Sequence, residues 1–451
     1  MAALLLGCVG VPAGSMAQDI REAFARAQST DPTYLQAVAN LEVAQSRRGQ
    51  ARAQLLPQLG ISGTTNWNDR RYDTHGSIFP PTNSQYNSTN AQVTLSESLW
   101  RHPYLIGAHQ ASVLVSAAEY QQSAAAQDLA VRLLQAWFDL MGAVDEVEAA
   151  SQAVAAAENE WQVVQRSSAL ALASRPEEAE ALARLETTRA ELVAAQGEAA
   201  AKRAAIEEIL GPGIEWTPPR LAEPPAAFLI DNQPLAWWLE RIERGSPGII
   251  AAHETLEAAR AQVRKEQAGH EPTVDLVATY GRNNQGDGNF PGQLGYDIRQ
   301  KTIGLQVNIP LYSGGGVRAR VREALAEQDR ALQQLSAAIR TGRTQVTVAW
   351  NQLAAARARQ SAARSAVKSA AISLELAQQG RRQGVKADID VLKATAQAAL
   401  ARRDLNHAHY DLVLNSARLK AAVADLSTQD IDRLAGLMVA RAVSTGVAES
   451  P

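Results

Sequence analysis

Two periodicities alternate along the 451-residue chain, and each occurs twice. Between Tyr104 and Arg175, Leu133, Leu140, Val147, Val154 and Trp161 recur every seventh residue, with Ala136, Ala143, Ala150 and Ala157 three places after the first four. From Leu311 onward the pattern returns. Leu325, Leu332, Ile339, Val346, Leu353, Val367 and Leu374 hold one heptad position, interrupted by Gln360, and Ala349, Ala356, Ala363, Ala370 and Ala377 hold the other. A large residue at one seam position and alanine at its partner let helices approach closely and supercoil left-handedly. Roughly 65 residues of unbroken helix extend about 100 Å at 1.5 Å per residue, more than a compact domain can contain.

Ahead of each long tract the period falls to two. Leu59, Ile61, Gly63, Thr65 and Trp67 alternate with Gly60, Ser62, Thr64, Asn66 and Asn68. Ala91, Val93, Leu95 and Leu99 alternate with Gln92, Thr94, Ser96 and Ser98, with Glu97 interrupting the apolar side. In the second half Val274, Leu276, Ala278 and Tyr280 form one face, and Ile303, Leu305, Val307 and Ile309 another, opposite Thr302, Gly304, Gln306 and Asn308. The spacing predicts strands over 59–68, 90–99, 273–282 and 300–309. Each is about ten residues, the length of a tilted membrane strand. Ile61, Trp67, Val93, Leu95, Leu276, Tyr280, Ile303, Leu305 and Val307 are the candidate lipid face, and the small uncharged residues between them the candidate lumen face.

A soluble sheet with one wet face has the same alternation. Aromatic placement favours the membrane. Trp67, Tyr72, Phe79, Tyr86, Trp100, Tyr104, Tyr280, Phe290, Tyr296 and Tyr312 lie in or beside the strands, where membrane barrels concentrate them. Four strands cannot close a barrel, whereas three chains supply about twelve, enough for an open lumen; a dimer's eight would be filled by side chains.

The chain is also two copies of one unit. Setting Pro32 against Pro247 brings Leu41 onto Leu256, Glu42 onto Glu257, Ala44 onto Ala259, Ala53 onto Ala268 and Pro57 onto Pro272; farther on, Ala136-Trp137 falls on Ala349-Trp350. The repeats span 18–210 and 235–426, joined by a proline-rich linker over 211–234 and followed by a C-terminal segment, 427–451. Each contains short helices, about 33–55 and 248–269, then the strands, then a helical hairpin, 104–210 or 317–426. Ser174-Arg175-Pro176-Glu177 is a capping-box start for a second helix reaching Leu210, and its counterpart, from about Ile389 to Leu426, follows the glycine-bounded stretch Gly380 to Gly384.

Composition narrows the function classes. With 44 Lys and Arg against 47 Asp and Glu, no basic field for nucleic acid exists. Ala2 to Val11 is apolar, Pro12 and Gly14 break it, and Ser15-Met16-Ala17 offers a cleavage site, so residues 1–17 are expected to be a signal peptide despite lacking a basic start. Leu5-Leu6-Gly7-Cys8 also resembles a lipoprotein box, which would leave Cys8, the sole cysteine, lipid-bearing. Beyond this segment no apolar run reaches the roughly eighteen residues of a spanning helix.

Catalytic and cofactor chemistry fails on spacing. His407 and His409 point to different sides of a helix and cannot share a metal. Ser313-Gly314-Gly315-Gly316 lacks the Lys and hydroxyl residue of a phosphate loop, and a tight strand-to-helix turn explains it. Asp388 and Asp390, with no nucleophile or His nearby, are helix-start charges. The expectation is no enzyme, no cofactor and no metal.

Two repeats of short helix, strand, loop, strand, long helix, turn and helix, with Leu56-Pro57 before the first strand and Leu311-Tyr312-Ser313-Gly314-Gly315 after the last, resemble the TolC family of outer-membrane channels over nearly the whole mature chain. Ser98 departs from it, standing where the family usually has the proline that Pro310 supplies in the second half. The resemblance implies a mainly α fold with a membrane β-barrel, in which a homotrimer shares a twelve-stranded barrel and its helices form a periplasmic α-barrel tunnel. It also implies an exit duct in the outer membrane. The duct would serve type I secretion of an exported protein, such as an RTX-type toxin, or drug efflux, with a periplasmic adaptor and an inner-membrane ABC transporter or proton-driven pump as partners. A periplasmic adaptor, which also uses long helical hairpins, is the non-channel alternative; it would show one hairpin between lipoyl-like segments, not two hairpins with two strand pairs. Gly384 to Leu392 resembles the family's entrance segment, in which Asp390 matches a ring carboxylate near Asp388. Lys386 stands where the family can have Arg, Arg381 in the place of a tyrosine, and Lys393 where a second Asp would lie.

Overall fold

The computed structural model describes residues 19–73, 80–170, 172–213, 218–221, 233–288 and 293–439. The expected signal peptide with Cys8, the aromatics Phe79 and Phe290, and linker prolines 224 and 225 lie outside the described residues. The chain divides into two compact units that cut across the sequence repeats, each unit taking matching pieces of both.

One unit comprises residues 40–119 and 251–336 and holds the four long strands. Strands β1 (Gln58–Tyr72), β2 (Thr82–Trp100), β4 (Thr273–Asp287) and β5 (Leu294–Asn308) form one antiparallel sheet in the order β1-β2-β4-β5. They have 15, 19, 15 and 15 residues, longer than expected. The alternation reports only the apolar band; the hairpin ladders continue past it through Asn66–Tyr72, Thr82–Asn90, Arg282–Asp287 and Leu294–Gln300, where backbone pairing needs no apolar side chain. The β2–β4 register shifts between Ser98 and Trp100, so Trp100, not Leu99, takes the place opposite Val274 on the apolar side.

The sheet joins long helices at one end. After β5, Gly314 and Gly315 adopt φ of 63° and 83°, a left-handed turn closed by the Gly316 amide donating to the Ser313 carbonyl, and α7 (Gly316–Arg382) begins there. After β2 a single residue precedes α3 (His102–Ala169). That residue, Arg101, donates two hydrogen bonds to Asp275 on β4, at 2.9 and 2.7 Å, and one to the Tyr104 hydroxyl. An ion pair thus holds the first junction where glycines hold the second.

The other unit is helical, comprising residues 19–39, 120–250 and 337–439 of the described chain. α1 (Ile20–Thr30), α4 (Arg175–Leu210), α8 (Asp388–Ala422) and α9 (Thr428–Ala435) pack with α3 around Leu133, Leu134, Trp137, Met141, Leu210 and Val413. α5 (Leu235–Gly245) also lies in this unit, while α2 (Pro32–Ala53) and α6 (Pro247–Gln267) run from it into the strand-bearing one. α8 ends four residues before the expected Leu426. Ala424 turns the chain with φ of 59°, and Ser427 and Asp430 cap the new helix α9, whose Ile431 and Leu434 enter the core. The short strand β3 (Arg220–Leu221), inside the linker, pairs with β6 (Met438–Val439) in the C-terminal segment.

At 68 and 67 residues α3 and α7 match the length the heptads imply. The alanine seam of α7 is buried at Ala349, Ala356, Ala370 and Ala377. No helix among the described residues is long and apolar enough to cross a membrane.

Candidate functional site

The register decides which strand residues share a face. Directly opposed residues in an antiparallel ladder lie on the same side of the sheet. Leu59, Leu95, Ala278 and Ile303 form one transverse row, and Ile61, Val93, Tyr280 and Lys301 the next. Glu97, Leu276 and Leu305 form a row on the helix side, followed by Trp100, Val274 and Val307. All nine candidate lipid-face residues, with Trp67 six places along from Ile61, therefore stand on one face. That face is bare in the single chain: Ile61 is 81% exposed and Ile303 75%. The other face carries rows of Gly60, Thr94, Thr279 and Thr302, and of Ser62, Gln92, Gly281 and Gln300.

The candidate entrance is the turn between α7 and α8. Gly384 adopts φ of 72°, and the Val385 and Lys386 amides both donate to the Gly380 carbonyl, at 2.9 and 3.2 Å. This folds the Lys386 stem over Gly380, where a Cβ would sit 2.7 Å from Lys386 Cγ, so a larger residue at 380 would push that stem aside. The Asp390 carboxylate accepts the Ala387 amide at 3.3 Å. Ala387 has no side-chain oxygen to complete the capping box, so α8 is half-capped and Asp390 spends its charge on its own helix start. Lys386, Arg381 and Lys393 are exposed and Asp390 is half-buried. The Asp388 side chain lies outside the described residues. The structure brings Asp390 and Lys386 into one turn and leaves Lys393 on the next turn of α8.

Sequence reading missed the order of the long helices. In the helical unit Arg189 on α4 pairs with Glu158 on α3, Arg403 on α8 with Glu146 on α3, and Arg359 on α7 with Asp411 on α8. The row is α4-α3-α8-α7, and its two ends differ in charge. α4 carries eight carboxylates and five Lys or Arg, α7 twelve Lys or Arg and four carboxylates. Each end also exposes apolar side chains at helical spacing, Leu182 and Val193 on α4 and Ile372 and Leu376 on α7. Counting charge helix by helix would have found this signal.

Besides the Arg403–Glu146 pair, the α3–α8 contact has a buried polar point. Buried Asp145 accepts hydrogen bonds from the Tyr410 hydroxyl at 2.7 Å and the Asn406 amide at 3.0 Å. His407 lies against Gly142, and His409 is 1% exposed. No metal-binding cluster occurs among the described residues.

The chain matches the family described as Outer membrane efflux protein over residues 24–212 and 238–425, both repeats. It belongs to that family. Outer membrane protein TolC of Vibrio cholerae is 26% identical over 426 residues, 94% of this chain and 95% of the relative. Proteases secretion protein PrtF of Dickeya chrysanthemi is 25% identical over 438 residues, 96% of this chain and 94% of the relative. The fold is that of the crystal structure of the outer membrane protein VceC from Vibrio cholerae, with a TM-score of 0.70 over 90% of this chain and 96% of that one at 20% identity. The protein is thus an outer-membrane channel of the TolC family, with a β-barrel in the membrane and a helical tunnel in the periplasm, and not an enzyme. It is an exit duct for material leaving the cell.

Proposed function

We propose that this channel serves type I secretion, passing an exported protein from an inner-membrane ABC transporter and a periplasmic adaptor to the outside. The similarity to a proteases secretion protein along nearly the full length of both chains carries this reading. The family description, an efflux protein, favours drug efflux with a proton-driven pump as the second reading. Expression in a strain lacking its own channel separates them. Secretion of a repeat-rich protein cargo only with an ABC exporter and adaptor supports the first; restored drug resistance without cargo export supports the second.

The working unit is a homotrimer. Four strands per chain cannot close, and the apolar face they present suits outer-membrane lipid. The charged ends of the helix row supply a second support: α4 of one copy meets α7 of the next with opposite charge and matching apolar stripes, a head-to-tail contact that closes into a ring.

At the entrance, threefold symmetry gathers three copies of Asp390, and facing carboxylates favour cations. Lys393, one turn on, offsets part of that field. Lys386, folded over Gly380, acts as a closing contact, and Arg381 at the end of α7 adds positive charge to the same turn. Single-channel recordings test this: Asp390→Ala lowers cation preference and Lys386→Ala raises conductance, whereas an unchanged ion preference in the Asp390 variant places that carboxylate outside the pore.

A further inference from the structure

On the apolar face of the sheet, past the row of Leu59, Leu95, Ala278 and Ile303, the ladder sets like charges against each other. Arg282 on β4 stands directly opposite Arg299 on β5, and Lys301 lies one row nearer the apolar band, opposite Tyr280. Like charges directly opposed destabilise a ladder unless something neutralises them. Asp297, on the same face, takes Arg282 as a bidentate partner. Arg299 and Lys301 make no ion pair among the described residues. Lys301 instead rests its ammonium 5.5 Å from the centre of the Tyr280 ring. Three cations and one carboxylate therefore share a small exposed patch with two positive charges in excess.

The surroundings define the ligand. Val93, Leu95, Ala278, Tyr280, Lys301 and Ile303 line a shallow groove of about 490 Å³, with apolar walls and the Lys301 ammonium at its rim. The patch lies on the hairpin side of the apolar band, away from the strand ends that join the helices. The helices are periplasmic, so the patch lies on the side of the band that faces the outer leaflet and its headgroup interface. A cation on a lipid-facing strand costs about 2–4 kcal/mol at mid-membrane and about 0–1 near the interface, so these three are tolerable only at that depth.

We propose that Arg282, Arg299 and Lys301 bind a phosphate of a phosphorylated, multiply acylated lipid of the outer leaflet, one acyl chain lying in the groove below. This rests on the reading that the apolar face meets lipid. The phosphate completes the charge balance of which Asp297 supplies one charge in three, and charge-assisted hydrogen bonds from arginine favour it over a zwitterionic headgroup.

The test uses the full-length trimer in detergent, titrated with bisphosphorylated lipid A and with the same lipid dephosphorylated, bound lipid being read by native mass spectrometry. The expected result is about tenfold better retention of the phosphorylated form, lost in Arg299→Gln/Lys301→Gln and not displaced by excess inorganic phosphate. Equal retention of the two lipids by the unaltered protein overturns the proposal without needing any variant to fold. Displacement by inorganic phosphate overturns it in favour of a free-anion site. A fluorophore at Ile303 separates the two levels. No quenching by a lipid-soluble quencher means that the face does not meet lipid and both readings fail; quenching with equal retention means that this inference alone fails.

Discussion

The two helical hairpins share a heptad pattern and differ in almost everything that faces outward. α3 and α4 together carry sixteen carboxylates and seven Lys or Arg, while α7 and α8 carry seventeen Lys or Arg and eight carboxylates. Their turns differ as well. The first is followed by a complete capping box, Ser174 accepting the Glu177 amide and Glu177 accepting the Ser174 amide at 2.8 Å; the second uses a left-handed glycine and a half cap. The same seam thus supports two surfaces. Seam positions are constrained by packing inside the chain, and outward positions are free to become complementary between copies.

The core breaks the symmetry most. Trp137 and Trp350 are equivalent in the repeats, but Trp137 is 0% exposed in the core cluster while Trp350 is half-buried and donates to the Gln233 carbonyl at 3.3 Å. Trp137→Ala is expected to cost about 3–5 kcal/mol and Trp350→Ala clearly less, measured by thermal unfolding of the trimer. Equal losses would mean that the halves bear load alike.

The joints ahead of the hairpins sharpen the contrast. Asp31, before Pro32, accepts two hydrogen bonds from Arg132, at 2.9 and 3.0 Å, and Ser246 holds the matching place before Pro247. Hydrogen bonding from Arg132 holds the Asp31 carboxyl below its ordinary value of 3.8, against the opposing effect of burial. A lowered folded-state value gives stability that is present above the unfolded pKa and lost as pH falls through the folded one. Asp31→Asn should therefore cost about 1–3 kcal/mol at neutral pH and flatten the loss of melting temperature in acid below about pH 4. Ser246→Ala should leave that acid limb unchanged.

Charge reversal on the outer edges should act on assembly more than on the fold. Lys368→Glu on α7 and Glu186→Lys on α4 are each expected to lower trimer yield, by about 0.2–1 kcal/mol per pair, and the double variant to recover part of it. The effect should shrink at high salt, as read by cross-linking. Salt-independent losses would point to the apolar stripes alone.

The most local effect lies at the turns. Ser174→Ala should cost about 1 kcal/mol in the local stability of α4, and Ala387→Ser, by giving Asp390 its missing partner, should stabilise the start of α8 by up to that amount. Hydrogen exchange of the first-turn amides reports both.

The sequence by itself determined the elements that periodicity specifies. Seam residues every seventh position, strands with two unlike faces, the Ser174 box and the glycine turn at Ser313-Gly314-Gly315 are all local patterns, and backbone geometry converts each directly into structure. It also sufficed to resemble a family, because two repeats of that order are distinctive. Strand ends were not legible, since pairing beyond the apolar band depends on a partner strand and leaves no alternation to read. The bulge at Ser98–Trp100 was hidden for a related reason: register belongs to two strands at once. Only the tertiary structure decided that α4 and α7 are the ends of the helix row, that Asp145 is satisfied by Tyr410 and Asn406 more than 260 residues away, and that Arg282 faces Arg299. Each is a meeting of side chains from distant segments, which the packing of long helices and the strand register bring together and no local pattern encodes.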